Sequence, residues 1–416
     1  MRSILYPWLA AFFAVVVSCH GASENQEVRE LRVALYPYVP ESADLMLKIE
    51  QRFESKHDKV HLVFVPFENY YKHSLFDAFG SDSKLQADVI EVDTVFLKDL
   101  VEKNLVGSMP KTVLEPADSL LPIASLAAQV DGEVRGVPHW VCGNFIFFRA
   151  DDPAAARFSE VRTLKDLEEI LNHPSTEKDG LLADVKGSST IGELYLDALV
   201  DEYGSVADAL PHMGDEEHLD SNARAATIRL YSFCPQLNHN ATYHDYGGFY
   251  GREFAHSRTR AMLAYSEGLF EVGDEFLHGM APNESAMADL HKIGAVAAPL
   301  ADNGQKMLAW VDILTVRKGL APQKRKDALD FISEFTSEDF NRSLLVPGYG
   351  EAPRYLLPAR AALYTDSAVT KAAPLYPRFK QIMLDAVTVT DAGLNDRLRK
   401  IGGKIDDSMG QTPTVQ

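Results

Sequence analysis

Cysteine is scarce in this 416-residue chain, which has only Cys19, Cys142 and Cys234. So few thiols exclude a small disulfide-stapled scaffold, and the fold must rest on hydrophobic burial. Basic charge is short as well, with 41 Lys and Arg against 60 Asp and Glu for a formal net charge of -19. A surface of that sign repels phosphate backbones and anionic membranes, which argues against nucleic acid and lipid partners. It favours a cationic small molecule. Past residue 17 no apolar run approaches the ~20 residues of a membrane-spanning helix. Repeats and low-complexity segments are absent, as are HExxH, CxxC and phosphate-cradling glycine motifs, and the 13 histidines form no ligand-spaced cluster. A protein that needs neither metal nor cofactor is expected.

What is present begins with an export signal. Arg2 supplies a positive start, 4–17 an apolar stretch and 18–23 a small-residue exit, so residues 1–23 read as a signal peptide. Val16-Val17-Ser18-Cys19 also resembles a bacterial lipoprotein box, in which Cys19 would stay as a lipid anchor. Either reading puts the mature chain outside the cytosol, secreted or periplasmic. Cys142 and Cys234 remain there, and an oxidising compartment invites them to pair. Asn240 and Asn283 head glycosylation sequons.

The length exceeds one compact core and predicts two lobes. Strand patterns at 31–36, 60–65 and 87–92 alternate with helical spacing at 41–55 and 96–101. Such alternation predicts parallel sheet with crossover helices, in which ligands gather beyond the carboxyl ends of strands. Tyr36, Tyr38 and Asp93 fall at such ends. A second alternation begins with a strand at 144–148 and a helix at 163–171 capped by Thr163. Ser188, Ser189 and Thr190 precede a helix at 191–203, either as its caps or beside amides open to a polar ligand group. Strands at 261–265, 293–300 and 308–316 follow, then a helix at 324–335 and a helical tail. Crossings near Val141, Leu300 and Val346 would divide the chain into lobe 1, residues 24–141 with 301–345, and lobe 2, residues 142–300 with 346–416. The expected fold is α/β and two-lobed, each lobe a sheet flanked by helices with a ligand cleft between them. That is the periplasmic-binding-protein-like arrangement of type II. A monomer is expected.

Cys142 closes the aromatic-rich run Pro138-His139-Trp140-Val141-Cys142-Gly143, which feeds the apolar strand. A thiol at a strand edge suits a nucleophile once its thiolate can be generated. The plainer alternative is a small buried hydrophobe, and pairing with Cys234 would silence it altogether. Asp88 opens a strand and reads as a solvated edge or cap. Asp93 and Glu267 follow strands, where an acid either serves a site or caps the next helix. Asp312 interrupts the apolar run 309–316, where burial of an unpartnered polar group costs about 2–7 kcal/mol. It should therefore meet a cationic or amino-bearing ligand, a structural arginine or a backbone amide.

Taken in order along nearly the whole mature chain, these segments resemble thiaminase I (thiamine pyridinylase). The resemblance rests on Tyr36-Pro37-Tyr38-Val39-Pro40, on 88–97, on 136–142, on Tyr265-Ser266-Glu267 and on 354–360. It implies a transferase that breaks the bond between the pyrimidine methylene and the thiazolium nitrogen of thiamine. An added small base, such as an aromatic amine or a pyridine, takes the thiazole's place. It further implies Cys142 as the nucleophile of a covalent pyrimidine intermediate and Glu267 as the general acid/base. Asp93 and Asp312 would hold the aminopyrimidine, between aromatic walls from Tyr36, Tyr38 and one of Tyr70 or Tyr71. Trp310 stands where the family has a tyrosine, keeping a stacking face and losing a hydroxyl. A further family tyrosine falls at Tyr246 or Tyr250. Insertions between Tyr71 and Asp88 and between Glu267 and Asp312, together with the second mature cysteine, depart from the bacterial pattern. The competing reading is a transport-linked binding protein that captures thiamine or another cation unchanged. Its fold would be the same, but binding alone needs neither Cys142 nor Glu267.

Overall fold

The computed structural model describes residues 28–66, 70–71, 75–80, 85–116, 119–150, 156–172, 180–234, 248–256, 259–279, 290–304 and 306–410. The export signal at 1–23, Cys19, the sequons at Asn240 and Asn283, and Tyr246 lie outside the described residues. Strands β1 (Arg29–Ala34), β2 (Val60–Phe64), β3 (Val89–Asp93), β4 (Gln129–Val130), β5 (Glu133–Val134) and β6 (Gly136–Gly143) occupy the first third of the chain. They are followed by β7 (Phe145–Arg149), β8 (Leu181–Ala183), β9 (Ala261–Ala264), β10 (Ile293–Ala297), β11 (Ala309–Val316) and β12 (Leu357–Pro358).

Two sheets define two lobes. One has six strands in the order β12-β6-β11-β3-β1-β2, the other four in the order β10-β7-β9-β8. Asn144 alone separates β6 in the first sheet from β7 in the second, and the chain returns between Ala297 and Ala309. These crossings explain why the large sheet is mixed rather than parallel throughout. β1 runs parallel to β2 and β3, but β11 is antiparallel to both β3 and β6. Strands β1, β3 and β6 end at the cleft, whereas β11 enters from it and must run the other way. The segment 346–416, expected with lobe 2, serves both sheets. β12 pairs with β6, while the helix Leu394–Gly410 packs along the helix Ser188–Tyr203.

Every residue of β3 and of β11 is buried, as expected for central strands covered on both faces. Asp88, expected as a solvated edge, is buried too. Its carboxylate meets Arg317 at 3.2 Å and Lys324 at 2.9 Å and accepts the Arg32 amide, so it ties three segments together. Thr163 caps the helix Leu164–Leu171 in a full capping box with Asp166. Ser188, Ser189 and Thr190 do not cap their helix. It begins at Ser188 with Gly187 in the cap position and no side-chain cap. Among the described residues no helix is long and apolar enough to cross a membrane.

The helix Ser188–Tyr203 also fixes the return crossing. Asp201 accepts the Leu300 amide at 2.8 Å and the Lys306 amide, and Asp197 accepts the Leu308 amide at 2.9 Å. Both carboxylates are buried. This helix in turn lies so close to Leu394–Gly410 that a Cβ on Gly192 would strike the Leu398 carbonyl, and one on Gly402 would strike that of Ser188. Gly192→Ala is therefore expected to destabilise the fold by roughly 1–3 kcal/mol, the usual range for overpacking. Denaturant titration checks this, and an unchanged midpoint would show that the helices can part.

Candidate active site

Register on the large sheet brings the candidate residues together. Asp93, at the end of β3, pairs directly with Asp312 on β11, and Trp310 on β11 pairs with Cys142 on β6. Residues paired across antiparallel strands share a face. Thus the two aspartates are neighbours, with the thiol one strand further along. Cys142 is half-buried and Cys234 buried, and neither is in a disulfide. The possible disulfide does not form.

Asp93 caps the next helix and also reaches the tyrosine cluster. Its Oδ1 accepts the Val95 amide at 3.0 Å and the Thr94 hydroxyl at 3.2 Å, capping the helix Thr94–Glu102. Its Oδ2 accepts the Tyr71 hydroxyl at 3.1 Å, and Tyr71 and Tyr36 share a hydroxyl–hydroxyl bond of 3.0 Å. With Tyr71 donating to Asp93, Tyr36 donates to Tyr71. Tyr38, half exposed, stacks on Tyr71 with an interplanar angle of 7°. Of the pair at 70 and 71, then, Tyr71 belongs to the aromatic wall. Tyr70 is fully buried, donates to the Glu91 carbonyl and receives the Asp93 amide at 2.6 Å, so it braces the strand end from behind. Glu91 accepts the Tyr36 amide and bonds His139 at 2.6 Å beneath the same wall.

A cavity of about 540 Å³ lies against this edge. Tyr36, Tyr38, Tyr250, Tyr265 and Glu267 line it, and so does Thr190 from the first turn of Ser188–Tyr203. Cys142, Trp310, Asp93 and Asp312 are not among its lining residues. Cys142 nevertheless interacts electrostatically with three groups that line it, Tyr36, Tyr265 and Glu267. Trp310 is buried, and its indole N–H has no partner among the described residues. Glu267 occupies the cap position of the helix Gly268–His278 without making a side-chain cap, which leaves its carboxylate for the cleft beyond a 3.2 Å bond from Ser266.

One functional candidate had no signal in the sequence. Glu193 sits inside an apolar helix, 8% exposed, and accepts the Tyr265 hydroxyl. Nothing in its local pattern marked it, since Gly192-Glu193-Leu194 reads as an ordinary helical turn. Only the neighbour supplied by β9 shows where it points.

Electrostatically the site is a cluster of acids. Burial raises Asp93 to about 6 and Glu193 to about 8. Burial pushes Asp312 well above the carboxylate range, reinforced by Glu91, Asp93 and Glu267, and it raises Glu267 as well. The same burial, followed by the charges of Asp312, Glu267, Asp93 and Glu193, drives the Cys142 thiol well up. Among the described residues no ion pair neutralises Asp93, Glu193, Glu267 or Asp312. Among the described residues neither an arginine nor a backbone amide meets the Asp312 carboxylate.

Sheet order and crossings define the class of this protein, a two-lobed periplasmic-binding-protein-like α/β fold. The chain is similar to an ABC transporter solute-binding protein from Agrobacterium vitis with bound D-mannitol, with a TM-score of 0.65, 17% identity, and 92% of this chain and 94% of that one covered. Within the class, residues 143–281 match the Thiaminase-1 domain family model. The chain is 26% identical over 392 residues to Thiaminase-1 of Paenibacillus thiaminolyticus, covering 90% of this chain and 87% of the relative. Clostridium botulinum thiaminase I in complex with thiamin shares the fold, with a TM-score of 0.72, 20% identity, and 92% and 100% of the two chains covered. The chain is thus similar to thiaminase I both in sequence and in fold.

The raised acids carry a stability consequence. Groups whose folded-state pKa lies above the unfolded value stabilise the fold at low pH. That contribution is lost as the pH climbs through the folded value, here from about 4 up to about 8. Glu193→Gln removes one of them, so its melting temperature should gain on the wild type as pH rises from 5 to 9. The shift corresponds to on the order of a few kcal/mol. Thermal melts across that range check it, and a pH-independent difference would place the Glu193 charge in water.

Proposed function

We propose that this chain is a secreted transferase that cleaves thiamine, displacing its thiazole with an added small base. The observation that carries the reading is Asp312, buried opposite Asp93 with no cationic side chain on it among the described residues and with the free Cys142 thiol one strand away. An aminopyrimidine supplies N–H donors for those two carboxylates, and the attached thiazolium supplies the positive charge the cluster lacks. Tyr36, Tyr38 and Tyr250 offer ring faces to both heterocycles, with cation–π attraction worth ~0.5–2 kcal/mol.

The electrostatics also tie activation to binding. Before substrate binds, burial and then the surrounding acids hold the Cys142 thiol well above its ordinary value. A cationic substrate offsets those charges and lets Glu267 take the thiol proton. The thiolate then forms a bond to an electron-poor pyrimidine carbon, and the ring takes up the displaced electron pair. The methylene–nitrogen bond breaks, and the thiazole departs neutral with the bonding pair. The incoming base attacks the methylene, the carbon–sulfur bond breaks, and Cys142 recovers its proton from Glu267. Covalent participation divides one displacement into two easier ones.

Cys142→Ser is expected to abolish thiazole release from thiamine and pyridine while thiamine still binds, measured by product mass and by calorimetry. Turnover equal to wild type would exclude the covalent step. Wild-type protein that binds thiamine and leaves it intact would instead be a binding protein. Glu267→Gln should slow turnover by ~10²–10⁴-fold with little change in affinity. Lost affinity with unchanged turnover of bound substrate would make Glu267 a positioning residue.

A further inference from the structure

We propose that Tyr265 and Glu193 form a proton-accepting pair for incoming bases that carry an N–H, Tyr265 facing the cleft and Glu193 holding the proton behind it. The proposal rests on the base-exchange reading above and names a second class of acceptor chemistry within it. Tyr265 lines the cavity two residues before Glu267, and its hydroxyl donates to Glu193 Oε2. Glu193 itself lies between Thr190 and Leu194, both on the cavity wall, and Tyr265 is its one hydrogen-bond partner among the described residues. The groups that interact with it are Asp93 on β3, Cys142 on β6, Tyr71, Tyr265 and, on its own helix, Asp197. None of them is a cation.

The exchange leaves this pair a distinct task. Glu267 is committed to the thiol, taking its proton at the start and returning it at the end. Pyridine has no N–H and leaves the site still charged, so it needs no further proton acceptor. A primary aromatic amine differs, because its nitrogen becomes an ammonium as the N–CH2 bond forms and the carbon–sulfur bond breaks. One N–H proton must then go. It passes to the Tyr265 oxygen as the Tyr265 proton passes to the Glu193 carboxylate, leaving a neutral secondary amine, an unchanged tyrosine and a protonated glutamate. Burial makes that carboxylate basic enough to keep the proton, at about 8. The positive substrate favours the ionised form needed beforehand.

The test is competition. Full-length mature protein is given thiamine with aniline and pyridine together, and the two substituted pyrimidines are quantified by mass. Both products arise after the covalent adduct, so their ratio is independent of which step limits the overall rate. Glu193→Gln and Tyr265→Phe are each expected to lower the aniline-to-pyridine product ratio by tenfold or more. A role in folding or in shaping the cleft would move both products together, so an unchanged ratio in either folded variant overturns the proposal. Wild-type protein that yields neither product overturns the base-exchange reading instead. If Glu193→Gln does not fold, Tyr265→Phe alone decides the question.

Discussion

Two carboxylates that face each other across adjacent strands, buried and without a cation, set the terms for the rest of this protein. Like charges directly opposed on a sheet are destabilising, and burial adds to the strain. Asp93 and Asp312 persist in that arrangement because the sheet holds them there. β3 and β11 are covered on both faces, Tyr70 braces the end of β3, and Asp88 with Arg317 and Lys324 anchors the far end of β11. The unfavourable charge is local, while its support is distributed. Such a pattern is expected where a site is built for a ligand that brings the missing charge.

The second lobe serves the same end. Its Ser188–Tyr203 helix holds the return crossing through Asp197 and Asp201, fixing where β11 begins. Since Trp310 and Asp312 lie just inside that strand, the clamp sets their depth relative to Cys142. The next turn of the same helix carries Glu193 toward Tyr265. One helix therefore positions the strand that holds Asp312 and sets Glu193 behind the cavity-lining Tyr265. Close packing against Leu394–Gly410 keeps it from shifting, which is why glycine is required at Gly192 and Gly402.

Burial among the acids Asp312, Glu267, Asp93 and Glu193 makes a poor environment for a Cys142 thiolate. In the proposed reaction that apparent defect becomes useful, because keeping Cys142 protonated until a cationic substrate arrives would confine its reactivity to the moment of need. A solute-binding fold suits this arrangement, because its cleft encloses the ligand between lobes and the sheet edges already converge there.

Much of the architecture was legible from residue pattern alone. The strand at 60–65, the helix at 163–171 with its Thr163 cap and the apolar run around Asp312 appear close to where their periodicity put them. Those signals are local, set by alternation, helical spacing and capping chemistry. The candidate acids and the thiol were legible because a charged or reactive group in an apolar strand needs a reason. Other features were decided by tertiary structure. The antiparallel entry of β11 depends on a crossing at Asn144 that no local pattern encodes, and Asp88 became a buried ion pair because distant Arg317 and Lys324 reach it. Tyr71 bonds the Asp93 carboxylate whereas Tyr70 bonds the backbone of the same strand, although both are tyrosines one residue apart. Glu193 had no signal at all until β9 placed a hydroxyl against it. Sequence determines which groups are available and which elements carry them. Only the fold decides which of them meet, because burial and charge depend on neighbours that lie far apart along the chain.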